Sequence, residues 1–125
     1  MVDIIVSYRI HCAVYEIRRS PIFDAWLTDL NDPHARARIA ARIDRLAMGN
    51  PGDVRPVGGG VSEMRVDYGP GYRVYYVRAE RIVYLLLCGG TKSTQAADIE
   101  RAVQLNAARA RDSSKGGRGN AKKGK

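Results

Sequence analysis

Residues 62–98 read S-E-M-R-V-D-Y-G-P-G-Y-R-V-Y-Y-V-R-A-E-R-I-V-Y-L-L-L-C-G-G-T-K-S-T-Q-A-A-D, and this stretch decides the fold. Its period is two. Met64, Val66 and Tyr68 fall on one face of a strand over 61–68, and Glu63, Arg65 and Asp67 on the other. Gly69-Pro70-Gly71 is a hairpin turn. The next strand, 72–78, sends Tyr72, Val74 and Tyr76 one way and Arg73, Tyr75 and Val77 the other. After a turn at Ala79-Glu80, the apolar run 82–87 reads as a central strand covered on both faces. Gly89-Gly90 is expected to break it, and Ser93 or Thr94 to cap a last helix ending near Ala110.

Working outward toward the N-terminus, Gly58-Gly59-Gly60 is a turn and 54–57 a short strand. Before them the period becomes helical. Ser20-Pro21 starts a helix, because Ser accepts free N–H groups and Pro loses no bond in the first turn. Phe23, Trp26, Leu27 and Leu30 give it a narrow apolar face. Asn31-Asp32-Pro33 ends it and caps a second helix with Ile39, Ile43 and Leu46 buried. Gly49-Asn50-Pro51-Gly52 stops that one. A first strand is expected over 12–18. Residues 1–11 read as a loose arm or an extension of it. The expectation is an α+β fold, β-α-α-β-β-β-β-α: a small curved, mainly antiparallel sheet with an N-terminal α-hairpin and a C-terminal helix, the helices packing on one face.

The 125-residue chain is one domain, expected over 1–111, followed by a basic tail. Residues 112–125 carry no apolar side chain larger than alanine and are expected to be disordered. Residues 111–125 hold six Lys/Arg and one Asp, so this end carries most of the net charge of +8 and the body is only mildly basic. Such a balance favours nucleic acid or an acidic protein partner. Cys12 and Cys88 lie far apart and read as free thiols of a reducing compartment. No apolar stretch is long enough to span a bilayer, and the start of the chain is a poor signal peptide; the expected location is cytoplasmic.

Arg65, Arg73 and Lys92 recur at the ends or faces of successive strands, where three cations can converge on one phosphate. A guanidinium fork suits phosphate oxygens in the ground state or a charged transition state. Glu63, on the Arg65 face, could accept a proton, or pair with a neighbouring Arg. Tyr75, on the Arg73 face, could stack on a base. Arg38, Arg42 and Arg45 form a stripe on the second helix that could meet RNA phosphates. No metal-ligand spacing and no cofactor fingerprint occurs: G-G-T-K-S-T fails as a phosphate-binding loop because Thr91 and Leu86 stand where Gly is needed.

With these motifs placed, the sequence resembles the RelE/ParE toxin superfamily, and more narrowly the HigB-like addiction module killer protein group. The similarity runs from about Val14 to Ala110, through W-L-x-x-L (Trp26, Leu27, Leu30), G-N-P-G-D (Gly49 to Asp53), E-M-R, G-P-G-Y-R-V-Y-Y and G-G-T-K-S-T-Q-A-A-D-I. The resemblance implies the toxin of a type II toxin–antitoxin module. It implies a metal-independent endoribonuclease acting on mRNA at the ribosome, in which the 2′-hydroxyl attacks the neighbouring phosphate and leaves a 2′,3′-cyclic phosphate. The matching positions are Arg65, Arg73 and Lys92. Where family members often have Tyr or His after the last strand, this chain has Gln95 and Asp98, so no general acid is assigned. The ParE branch implies a rival, a protein inhibitor of DNA gyrase; a catalytically silent antitoxin-binding module is a third reading. All three imply a cognate antitoxin, and an oligomer formed with it.

The tail generates a prediction. Deleting residues 112–125 should leave the melting temperature nearly unchanged and lower RNA affinity at low salt more than at high salt. Thermal unfolding and RNA binding at two ionic strengths check it; an unchanged salt slope would make the tail electrostatically idle.

Overall fold

The computed structural model describes residues 14–123, and the expectations for residues 1–11, His11 and Cys12 lie outside that range. The elements are β1 (Glu16–Arg19), α1 (Pro21–Asp29), α2 (Pro33–Ala47), β2 (Val54–Gly58), β3 (Val61–Val66), β4 (Tyr72–Glu80), β5 (Val83–Thr91), a 3₁₀ turn (Lys92–Thr94) and α3 (Gln95–Lys123). The sheet order is β1-β5-β4-β3-β2. The last four strands form the expected antiparallel meander, and β1 joins parallel to β5. This is the α+β architecture read from the sequence.

Both helix starts form as the local chemistry dictates. Ser20 Oγ accepts the Phe23 N–H (3.0 Å) and donates to the Leu87 carbonyl (2.7 Å), so one hydroxyl caps α1 and ties it to β5. Asp32 accepts the His34 and Ala35 N–H groups at the start of α2.

The helices do not all pack on one face, as the sequence reading had it. Phe23 of α1 and Ile39, Ile43 and Leu46 of α2 pack with Met64, Val66, Val74, Tyr76 and Leu86. Ala102 of α3, flanked by Ile99 and Val103, packs on the opposite face with Val61, Tyr75, Val77, Leu87 and Cys88. Strand alternation supplies an apolar surface on both sides, so each needs a cover. Between Tyr75 and Tyr76 the register with β5 shifts, from Cys88 to Leu86. The extra residue, Leu87, turns to the α3 side, and such a bulge bends the strand.

Several boundaries differ from expectation: β1 begins at Glu16, and Ala79-Glu80 belongs to β4, with the turn at Arg81-Ile82. Gly89-Gly90 does not break β5, which runs on to Thr91. These glycines mark close approach instead: a Cβ on Gly89 would collide with the Trp26 ring, and one on Gly90 with the Asp98 carboxylate. Thr94, one of the two residues expected to cap the last helix, stands immediately before Gln95, and the 3₁₀ turn ahead of it is capped by Thr91. Its backbone N–H is met by Thr94 Oγ1 at 3.2 Å. Finally, α3 passes Ala110 and keeps its helical backbone to Lys123, through the stretch expected to be disordered. The segment holds no proline, but Gly116, Gly117 and Gly119 each cost about 1 kcal/mol against alanine in a helix, so local propensity does not account for the extension.

Phe23 is fully buried. Phe23→Ala should cost about 3–5 kcal/mol, and Ser20→Ala about 1–2 kcal/mol through the lost cap. Urea unfolding of the two variants against the parent checks both values and their order.

Candidate functional site

The β3–β4 hairpin sets Arg65 opposite Arg73 and Glu63 opposite Tyr75, and β2 adds Arg55 opposite Glu63. These side chains share the face that α3 covers. The Lys92 N–H donates to the Gly71 carbonyl (2.8 Å), which draws the turn after β5 against the Gly-Pro-Gly turn. The result is an open cleft of about 400 Å³ whose lining includes Arg65, Arg73, Lys92, Gly69, Pro70 and Gly71, with Asp53 and Asp67. The three cations expected to converge do so.

They differ in burial. The Arg73 side chain is 9% exposed and Arg65 41%. Lys92 is exposed. The Nε atoms of Arg65 and Arg73 are buried without a hydrogen-bond partner. Arg65 is fixed through its backbone: its N–H donates to the Asp53 carbonyl (2.9 Å), and its carbonyl accepts from Arg42 Nη1.

Glu63 lies behind the cleft and does not line it. It is 0% exposed. Oε1 accepts from Arg55 Nε at 3.1 Å, with Arg65 Nε at 3.7 Å and Arg73 Nη1 at 3.8 Å. Oε2 accepts from the Tyr75 hydroxyl (2.9 Å) and Gln95 Nε2 (2.7 Å). Burial pushes the Glu63 carboxyl up. The Gln95, Tyr75 and Arg55 donors and the Arg73 charge outweigh it, and the group is held below the usual carboxylate range. With both oxygens accepting hydrogen bonds and no surface exposed, the carboxylate is out of reach of a bound strand; of the two roles read from the sequence, the geometry fits pairing with arginine and not proton acceptance.

Tyr75 is likewise corrected. It is fully buried and donates to Glu63, so it presents no ring to a base. Burial and that hydrogen bond raise its pKa well above the ordinary phenol value. Of the α2 stripe, Arg42 is spent on structure: Nη2 donates to the Pro51 carbonyl (2.8 Å) and Nη1 to that of Arg65. Arg38 and Arg45 are exposed, and the Arg38 guanidinium lies 4.9 Å from the Tyr68 ring centroid. A second groove of about 270 Å³, lined by Arg38, Arg42 and Arg45, meets the main cleft at Val66 and Asp67.

Reasoning from sequence missed Arg55, Asp53 and Asp67. Arg55 had a signal, its place opposite Glu63 once the Gly58–Gly60 turn sets the hairpin register. Asp98, beside Gly90, bonds Thr94 Oγ1 and forms part of the turn into α3. Cys88 is a buried free thiol with its pKa pushed by burial to about 11. Among the described residues no three His, Cys, Asp or Glu side chains cluster as metal ligands, and no helix is long and apolar enough to cross a membrane.

Residues 25–111 match the family model described as phage derived protein Gp49-like (DUF891). That span holds all of the cleft's cations and Glu63. The chain is also 47% identical to an uncharacterized protein of Haemophilus influenzae over 90 residues, covering 72% of this chain and 91% of that protein. The chain belongs to the Gp49-like family, and through it to the RelE/ParE-like toxin superfamily. Membership points to a toxin of a toxin–antitoxin module, with an antitoxin as its partner.

Glu63 makes stability pH-dependent. Its folded pKa is depressed, so its contribution is complete above the unfolded value of about 4.3 and is lost as pH falls through the folded one. Glu63→Gln should flatten that acid limb and cost about 3–5 kcal/mol at pH 7, since Arg73 stays buried without its counter-ion. Urea unfolding between pH 3 and 7 measures both.

Proposed function

We propose that the chain is a HigB-like toxin that cuts mRNA on the ribosome, in the cytoplasm, by metal-independent phosphoryl transfer. The observation that carries this reading is the convergence of Arg65, Arg73 and Lys92 on one open cleft. In the reaction the RNA 2′-oxygen attacks the adjacent phosphorus, the bond to the 5′-oxygen breaks, and a 2′,3′-cyclic phosphate and a 5′-hydroxyl remain. Negative charge grows on the non-bridging oxygens. Arg73, buried at the cleft wall, stabilises that charge where water screens it least, and such placed donors contribute most to catalysis. Arg65, half-exposed, neutralises the scissile phosphate. Lys92, at the mouth, carries the proton that the leaving oxygen needs. Arg38 and Arg45 extend the positive surface along the bound strand.

Glu63 is not the base, since it does not reach the cleft. Asp53 and Asp67 are the carboxylates that do. The lack of histidine among the lining residues favours one rival, a gyrase-binding inhibitor that needs no chemistry at this cleft. Its mark would be toxicity independent of the three cations.

Arg73→Ala should abolish growth inhibition and mRNA cleavage while the protein stays folded. Arg73→Lys should recover only part, since a point charge lacks the fork. Inducing each variant in a bacterium, mapping new mRNA 5′ ends and assaying gyrase supercoiling decides the matter. A folded, fully toxic Arg73→Ala protein without new 5′ ends would move the assignment to the gyrase reading.

A further inference from the structure

We infer that Glu63, Tyr75 and Gln95 form a positioning group: the buried carboxylate fixes Arg73 and Arg65 at the cleft wall, and α3 reaches into the site through Gln95. Where the proposed function concerns the groups that touch RNA, this inference concerns what aims them, and only its kinetic arm rests on the ribonuclease reading.

Geometry separates positioning from chemistry here. A proton acceptor must come within hydrogen-bond reach of the hydroxyl it serves. Glu63 is 0% exposed and absent from the cleft lining, so the two arginines stand between it and any substrate. Both of its oxygens already accept hydrogen bonds. Arg73, in turn, depends on Glu63. Among the described residues Glu63 is the carboxylate paired with it, at 3.8 Å, and Arg73 Nε has no hydrogen-bond partner. The nearly buried guanidinium is held toward Glu63 by charge and not by a hydrogen bond.

Three strands and a helix fix the carboxylate in turn. Arg55 faces it from β2, Arg65 from its own strand, Arg73 and Tyr75 from β4, and Gln95 from α3. Asp98 of α3 acts on Tyr75 from the same side. Tyr75 and Gln95 are the uncharged members, so each can be changed without adding or removing a buried charge. Both donors favour the ionised carboxylate. Losing either raises the Glu63 pKa, and the ionised, arginine-holding form is then lost at a higher pH on acidification.

The two possible roles of Glu63 respond oppositely. For a base of depressed pKa, removing a donor brings its pKa nearer the working pH and does not slow the reaction. For a positioning group, the same change loosens Arg73 and slows it.

The test uses the full chain and the variants Tyr75→Phe and Gln95→Leu, with circular dichroism as the check on folding. Cleavage of mRNA on purified ribosomes is followed as a function of pH. Inorganic phosphate is titrated in parallel, with the arginine Nε–Hε signals read by NMR. Expected for both variants are a fall in kcat of about tenfold, the size of one lost hydrogen bond to a charged group, an acid limb displaced to higher pH, a shifted Arg73 signal and weaker phosphate binding. Unchanged or raised kcat in both folded variants overturns the inference. So do Arg73 signals and phosphate affinities equal to those of the parent, whether or not RNA is cut. If the parent cuts no RNA while the signals and phosphate affinities change as expected, the ribonuclease reading fails and the positioning role stands.

Discussion

One buried carboxylate organises this molecule. Glu63 is closed off from solvent among three guanidiniums, and each element around it contributes a contact that the others need. Burying Arg73 costs several kcal/mol, an expense offset only if a counter-ion sits nearby and its own lone pairs are satisfied. Arg55, Tyr75 and Gln95 satisfy them. Strand register is pinned by the same requirement. A one-residue slip of β3 would exchange Glu63 for Met64 on the α3 face and drive the carboxylate into the apolar layer under α1 and α2.

The same alternation explains where the cleft lies. On one face β3 and β4 present Met64, Val66, Val74 and Tyr76, a surface wholly taken up by the α-hairpin. On the other, apolar and charged residues share the strands. Tyr75, Val77 and Val61 meet α3, whereas Arg65 and Arg73 lie nearer the Gly-Pro-Gly turn. Helix α3 begins only at Gln95, after the turn that carries Lys92. The sheet end with the cations is therefore left open, and the end with the apolar residues is closed. Gly90 lets the Asp98 carboxylate settle against β5, which brings the start of α3 down onto the sheet.

What could be read from the sequence follows from the range of each interaction. The Ser20 and Asp32 caps, the Gly-Pro-Gly hairpin and the two faces of β3 and β4 depend on neighbours within a few residues, and they were legible. The convergence of Arg65, Arg73 and Lys92 was legible too, because a tight turn leaves one register open. The side of the sheet taken by α3 was not, since nothing local to 95–110 reports it. That one unknown hid the rest. Glu63 and Tyr75 read as cleft residues because they share a face with the arginines, and only the docked helix shows that this part of the face is covered. Arg42 read as part of a surface stripe because its partners, the carbonyls of Pro51 and Arg65, belong to other elements. Gly89-Gly90 read as a break because a strand glycine that admits a tryptophan ring or a carboxylate looks no different, in sequence, from one that ends a strand.

Charge arithmetic distinguishes this cluster from an ordinary structural ion pair. A pair built for stability balances its charges. Here Glu63 supplies one negative charge to Arg55, Arg65 and Arg73, and Lys92 adds another cation at the mouth. Asp53 and Asp67 stand at the cleft and temper the excess without pairing with these arginines among the described residues. Like charges held this close repel, and the repulsion is strongest where the walls exclude water. A fold gains nothing in stability from that excess. It becomes favourable when an anion enters, because the repulsion then turns into attraction shared among donors already in place. On the ribonuclease reading proposed above, a phosphate gathering charge during in-line attack would collect more of it than one at rest, and the arrangement would favour the transition state over the bound strand.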